Sequence, residues 1–469
     1  MSIKLNKLKE DDYTELHKIT SNRSIMKYVG NGKPWDSKKT KSFLKYSLEE
    51  QNSNNKIRTN FFFKISLKKR LIGIIGIHKY ETEIDYNLTY FLDKTQQGKG
   101  YGTKALSLIL NKFIKFKKEV KKVISQVLVE NIGSQKSCKK VGFVFQKQIK
   151  RNGKKYNQYV YYLKLHNILK LEYPYLKYFI TKEDIEHSFK KLQKYKPYFK
   201  KGTINKFTDK MELIIDFDKE RNINQITDYF TDKCRVKCLF KGKNLTPFEY
   251  YSKNKGELIH KSFVNKKFNI TKFESILFNK KEIKFCNNFQ TTIAFTIYKL
   301  FKPKNIFDSS AGWGDRLIAA LAYGTSYTGV DPSKCLKPLY LKMIKTFTKN
   351  KKKKYKIINK GIEDVKVNKG KYDLCFTSPP FFDLEIYEKN KNQSIQKFSS
   401  SNKWEKEFLI TLINKNIEAL QLKGHLVIYF PGNNKFFMNY MMNHTKLLYK
   451  GVFSFITPKK RNIFVWTKI

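Results

Sequence analysis

At 469 residues the chain exceeds what one ordinary hydrophobic core supports, so two or three domains are expected. With 41% hydrophobic and 15% aromatic residues it can bury sizeable cores, which excludes a disordered polymer. The formal charge of +55 suits a polyanionic partner, but only eight of the 95 basic residues are Arg, and the abundance of Lys, Asn, Ile, Phe and Tyr is what an AT-rich coding sequence gives whatever the function.

No apolar stretch approaches the roughly 20 residues that span a bilayer, and the first residues lack the apolar core of a signal peptide, so no membrane partner is expected and the chain reads as soluble and intracellular. Six cysteines, at 138, 234, 238, 286, 335 and 375, include no CxxC pair, and seven histidines are scattered. Neither a disulfide framework nor a metal site is predicted. Cys234, Cys238 and His260 can be imagined as ligands, but three such unpatterned residues are far more often buried thiols and a surface imidazole.

In chain order, residues 1–164 alternate short strands (NFFFKISL, LIGIIGIHKY, IDYNLTYFL) with a helix, GTKALSLILNKFIKF, a further strand, KVISQVLV, a second helix and two closing strands. This predicts a compact α/β domain. Residues 165–285 are rich in Lys and aromatics, carry turn signals and show no repeat; they read as a linker or a target-recognition segment. From 286 to 469 apolar strands and helices alternate densely (KNIFD, GDRLIAALA, SYTGVD, YKIIN, YDLCF, GHLVIYF, NIFVWT), which predicts a mostly parallel, doubly wound sheet with its ligands at the carboxyl ends of the strands.

In the first domain, FLDKTQQGKGYGTKALSLIL places Gln97, Gly98, Gly100 and Gly102 between a strand and a long helix. Successive amides of such a turn, together with the helix dipole, make a nest for a pyrophosphate. The loop resembles the Q-x-x-G-x-G/A acetyl-CoA loop of the GNAT acetyltransferases, and ENIGSQKSCKKVGF (130–143) is similar to that family's N-x-x-S…GF element. The resemblance covers about residues 1–164 and is closest to the RimJ/RimL-like, protein amino-terminal type. It implies a mixed, mostly antiparallel sheet and acetyl-CoA as cofactor. It also implies Asn131 on the pantetheine arm, Ser134 beside the leaving thiolate, and a protein or small-molecule amine as acceptor. No catalytic base is identifiable; Glu83 and Asp85 lie near the relevant strand without pattern to support them.

In the last domain, a strand ends in Asp308, a small-residue turn carries Gly312 and Gly314, and a helix follows whose amino end would favour a negative group such as a carboxylate. The next strand ends in Asp331, placed to accept ribose hydroxyls, and the third is followed by Glu363 and Asp364, where a carboxylate could meet an adenine amine. The fourth strand runs into Thr377, Ser378, Pro379, Pro380 and Phe381. SPPF resembles the S-P-P-[YF] motif of amino-methyltransferases that modify exocyclic amines of nucleobases, and DSSAGWG resembles their D-P-F-A-G-x-G loop, over about residues 285–469. Ser309 and Ser310 stand where that family usually has Pro-Phe.

The resemblance implies a Rossmann-like class I methyltransferase fold and S-adenosyl-L-methionine held by Asp308, Gly312, Gly314, Asp331 and Asp364. Ser378, Pro379, Pro380 and Phe381 would form the catalytic motif, with DNA, or RNA, as partner. Chemically, a hydroxyl and a proline-held carbonyl that accept the amine's hydrogens restore its lone pair, and an aromatic face stacks on a flipped base. SPPF leans towards cytosine over adenine. The expectation is therefore α/β throughout, a bifunctional transferase. Methyl transfer to RNA or protein amines, and a nucleic-acid-binding scaffold with inactive domains, stay open as alternatives.

Overall fold

A computed structural model describes residues 2–54, 58–79, 85–117, 119–205, 210–216, 221–264, 267–348, 354–388, 392–430, 434–455 and 461–469. Glu83 and the side chain of Asp85 lie outside the described residues, as does most of the lysine run at 349–353. The chain forms two units: Met1–Pro174 with Glu249–Asn279, and Tyr175–Phe248 with Lys280–Ile469. The segment 165–285 is thus shared between the two units, for a reason no local pattern reveals: its apolar faces are covered by elements distant in sequence.

The first unit is built on seven strands: β1 (Lys4–Asn6), β2 (Asn60–Leu67), β3 (Arg70–Lys79), β4 (Asp85–Leu92), β5 (Lys122–Leu128), β6 (Val144–Arg151) and β7 (Lys154–Tyr162). Their order is β1-β2-β3-β4-β5-β7-β6, and every neighbouring pair is antiparallel except β4 and β5. Lys68 and Lys69, both at positive φ, make the two-residue turn whose twist suits the β2–β3 hairpin. The helix Tyr101–Phe116 buries Ala105, Leu106, Ile109, Leu110 and Phe113, the stripe a 3.6-residue period places on one face. Phe113 meets Phe61 of β2 and Tyr86 of β4 edge-on. The late segment adds the helix Ile270–Phe278, whose Phe273 packs against Tyr173 and Tyr251.

The second unit has a nine-stranded sheet. Its strands are β8 (Tyr198–Asn205), β9 (Lys210–Asp216), β10 (Asn305–Asp308), β11 (Ser326–Val330), β12 (Tyr355–Ile358), β13 (Tyr372–Thr377), β14 (Leu420–Phe430), β15 (Leu447–Phe455) and β16 (Arg461–Lys468). In space they run β12-β11-β10-β13-β14-β16-β15-β9-β8. The first five are parallel and β16 is antiparallel between β14 and β15. The chain enters the parallel part at its centre, β10, builds outward to β12, then crosses to β13 on the other side. That reversal of strand order opens a crevice at the carboxyl ends of β10 and β13.

A disulfide joins Cys234 to Cys335, 101 residues apart, which corrects the expectation that the cysteines form none. The pair has no sequence signature because only the fold brings the helix Ile226–Arg235 to the loop after β11. Among the described residues no group of three His, Cys, Asp or Glu side chains is arranged to hold a metal, and no helix is long and apolar enough to cross a membrane.

Candidate functional sites

In the first unit, the described residues of β4 and β5 pair over Asp85–Asn87 with Lys122–Ile124. The ladder stops there although both strands continue, to Leu92 and Leu128, so the sheet forks and one edge of β4 is open to a ligand. Just beyond β4 the chain turns through Gln97, Gly98 and Gly100 into the helix Tyr101–Phe116. Gly98 and Gly100 have φ of +76° and +78°, where an L side chain is strained, and beyond the flanking residues no described atom lies within 4 Å of a Cβ built on either. The turn is therefore uncrowded at the amino end of a 16-residue helix, where unpaired amides and the dipole favour an anion. Gln97 fixes the turn by donating from Nε2 to the Leu92 carbonyl at 3.0 Å.

At Gly102, the second residue of the helix, a Cβ would stand 3.0 Å from the Tyr90 ring. Asn131 caps the helix Ile132–Val141, its Oδ1 accepting from the Ser134 amide at 3.1 Å. The Tyr90 phenol is buried near the Ser134 and Ser137 hydroxyls, and burial pushes its pKa up to about 12. Tyr90 thus stays protonated, beside Ser134 and on the strand whose edge is open. Sequence reasoning passed over it because Tyr is frequent in this chain and the family motif demands no side chain on that strand.

In the second unit a cavity of about 840 Å³ lies at the carboxyl ends of the parallel strands. Gly312, Asp331, Ser378, Pro379, Pro380 and Phe381 all line it, although they come from three different strand ends. Asp308, Gly314 and Asp364 are outside its lining. Asp308 is fully buried: it accepts from Arg316 Nε at 2.7 Å, from the Tyr327 hydroxyl at 2.7 Å and from the Ser310 amide at 3.2 Å. Its carboxylate fastens the glycine turn from beneath. Gly314 leaves room for Met343, whose Sδ would stand 2.9 Å from a Cβ there.

Asp331 accepts from the Gly312 amide at 3.1 Å and the Ser333 amide at 2.9 Å, and burial raises its pKa to about 6. The amino end of the helix Asp315–Tyr323 is occupied by Asp315 itself. Asp315 accepts from the hydroxyls of Thr227, at 2.6 Å, and Thr291, at 3.2 Å, and burial lifts its pKa to about 7. Partly ionised near pH 7, Asp315 takes the place at this helix end that was expected for a ligand carboxylate, so the turn favours a ligand group that donates hydrogen bonds or carries positive charge.

Among the described residues, three acceptors beside the cavity have no partner: Asn288 Oδ1, Gln290 Oε1 and Glu363 Oε2, each buried at the atom. Buried acceptors left unmatched are costly, so they call for donors from a ligand. Lys397 meets both acids, Glu363 Oε1 at 2.6 Å and Asp364 at 2.7 Å, but only Glu363 lines the cavity. The sequence marked the pair, and only the fold chose between them.

Phe381 is held edge-on by Tyr429 and Phe430, with ring centroids 6.1 and 5.6 Å away, and Phe382 beside it has a φ of +36°. Strain at a non-glycine residue next to an aromatic wall is frequent in binding loops. Glu385 also lines the cavity, accepting from the Asn287 amide at 3.0 Å and the Tyr387 hydroxyl at 2.8 Å, and burial raises its pKa.

Residues 2–144 match the family model described as Acetyltransferase (GNAT) domain, so the amino-terminal part of the chain carries a domain of that family. An uncharacterized N-acetyltransferase, YnaD, of Bacillus subtilis strain 168 is 27% identical over 156 residues, covering 32% of this chain and 86% of that protein. Among solved structures, a GNAT-family acetyltransferase from Bacillus anthracis is 22% identical, with 34% of this chain and 94% of that one covered, at a TM-score of 0.29. Spermidine N-acetyltransferase from Vibrio cholerae, solved with CoA and spermine, is 18% identical, with 35% and 98% covered, at a TM-score of 0.30.

Proposed function

We propose that the chain carries two transferases: an acetyl-CoA-dependent N-acetyltransferase in the first unit, and in the second an S-adenosylmethionine-dependent methyltransferase acting on an exocyclic amine of a DNA base. For the first, the family match is joined by the fork between β4 and β5 and by the unobstructed turn at Gly98 and Gly100. These residues fit the cofactor: the turn's amides would take the pyrophosphate, and the open edge of β4 would offer backbone groups to the arm that bears the thioester. Acetyl-CoA supplies an activated acyl group. Tyr90, neutral and near Ser134, would be the residue to return a proton to the departing thiolate. The acceptor is an amine, of a protein or of a small molecule, the class to which the spermine bound by the Vibrio cholerae enzyme belongs.

For the second activity the carrying observation is that Ser378-Pro379-Pro380-Phe381 shares one cavity with Gly312 and Asp331 at the switch point of a parallel sheet. This supports a Rossmann-like methyltransferase fold. The lining fits an adenosine linked to a charged amino acid: Asp331 for ribose hydroxyls, Glu363 Oε2 for an exocyclic amine, Asn288 and Gln290 for an ammonium. S-adenosylmethionine would supply an electrophilic methyl group. Ser378 and the Pro379 carbonyl accept the hydrogens of the acceptor amine, which localises its lone pair, and Phe381, fixed by Tyr429 and Phe430, stacks on the base.

Mass spectrometry of nucleosides from DNA co-expressed with the protein tests this reading. N-methylated cytosine or adenine is expected, falling about 5- to 150-fold with Phe381→Ala, the equivalent of ~1–3 kcal/mol of stacking. Methyl groups found on RNA or protein and absent from DNA overturn the DNA assignment.

A further inference from the structure

The wall of the second unit's cavity that lies away from the strand ends is made by residues 234–240 and 284–287, a part of the chain to which no activity has been assigned. We propose that this wall is a phosphate track, along which a DNA strand lies while one of its bases enters the cavity beside Phe381. The inference rests on the base-methylation reading of that cavity.

The first support is charge that exceeds the chain's own bias. Leaving out Arg235, which is buried and paired with Asp228 and Asp232, residues 233–248 and 280–284 hold seven basic residues and one acidic one, a net +6 over 20 positions, where +55 spread over 469 would give between two and three. Lys237 and Lys284 are exposed and also line the cavity, so they stand at its mouth. The second support is positioning. Lys284 Nζ lies 3.8 Å from the centroid of the Phe240 ring and Lys237 Nζ 4.8 Å from that of Phe248, which holds both ammonium groups on aromatic faces. Arg235, buried, takes up Asp228 and Asp232 at 2.9 and 2.8 Å and so withdraws their charge from the surface.

The third support is a direct tie to the catalytic motif. Leu239–Phe240 pairs antiparallel with Glu385–Ile386, four residues beyond Phe381, and the Lys241 amide donates to the Leu384 carbonyl at 2.9 Å. A strand neutralised on this wall is therefore held at a fixed distance from the aromatic that would receive its base. Phosphate contacts of this kind set register and orientation without reading sequence.

The test uses the full chain and a fluorescein-labelled 20-nucleotide single-stranded DNA, with binding followed by anisotropy from 50 to 300 mM salt. Replacing Lys237, Lys281 and Lys284 together by Ala is expected to lower the slope of log K against log salt by about 2, since each phosphate contact on a single strand contributes roughly 0.7. A matched pair of substitutions on the exposed face of the helix Lys337–Phe347, Lys342→Ala and Lys345→Ala, should leave the slope unchanged. Circular dichroism establishes that each variant is folded. Equal slopes for the two variants, no binding by the unsubstituted protein, or tighter binding of an RNA of the same sequence overturns the proposal. Loss of slope in the triple variant of a protein that binds no S-adenosylmethionine by calorimetry would leave the track standing and remove the methylation reading instead.

Discussion

Each unit folds a strand, a glycine turn and a helix into a binding corner, and the two corners have opposite electrostatics. At Gly98 and Gly100 no described atom beyond the flanking residues crowds the Cβ positions, residues 97–102 contain no carboxylate, and the helix dipole is left for an incoming anion. At Gly312 and Gly314 the same left-handed backbone is underpinned by Asp308, the helix begins with Asp315, and Asp331 faces the cavity. Glycine grants close approach of the backbone to a ligand and says nothing about the charge of what approaches. The acids around it decide that, and they separate a pyrophosphate site from one suited to a cationic adenosine derivative.

The strongest way to break this comparison is to exchange the charges. Gly100→Glu puts a strained side chain and a carboxylate where the phosphates belong, and acetyl-CoA affinity should fall by about a hundredfold or more, roughly 3 kcal/mol from repulsion and backbone strain together. Calorimetry that shows unchanged affinity in this folded variant would remove the loop assignment. S-adenosylmethionine binding should be untouched.

Covalent reinforcement also differs between the units. Cys138 of the first is buried and free, whereas Cys234 and Cys335 of the second close a loop of about a hundred residues. Reduction, or Cys335→Ser, should destabilise the second unit by about 2–4 kcal/mol, read as a lower urea midpoint for its transition. An equal shift for both units would show that the bond does not act locally.

A smaller effect is expected from the cofactor acid. Asp331→Ala should weaken S-adenosylmethionine by about 1.5–3 kcal/mol, the worth of hydrogen bonds to a charged group. It should leave acetyl-CoA affinity as it was, and equal losses at both sites would contradict the pairing of each acid set with its own ligand.

The mildest effect is one of pH. With its pKa raised to about 6, Asp331 is protonated at pH 5, so S-adenosylmethionine affinity should decline several-fold between pH 7 and 5, a step that Asp331→Asn removes. Stability runs the other way. Asp331 and Asp315, the latter at about 7, bind protons more tightly folded than in the unfolded chain, where Asp titrates near about 3.9. Their contribution is fully present below about pH 4 and is lost as pH rises through 6 and 7. Denaturation of the Asp315→Asn variant should therefore be less sensitive to pH over that range, and an unchanged profile would show that Asp315 does not titrate there.

What the sequence determined by itself was whatever chemistry is local. The strand–turn–helix patterns, the glycines at 98, 100, 312 and 314 and the SPPF loop after a buried strand all follow from neighbouring residues, because turn geometry and side-chain periodicity are set within a few positions. Tertiary structure alone decided how those pieces combine. It turned Asp308 inward to Arg316, chose Glu363 over Asp364 for the cavity, joined Cys234 to Cys335, stopped the β4–β5 ladder at Asn87, and divided residues 165–285 between two cores. Each of these depends on groups tens to hundreds of residues apart competing for the same buried space, where an unpaired charge or donor is costly. No window of sequence holds both competitors.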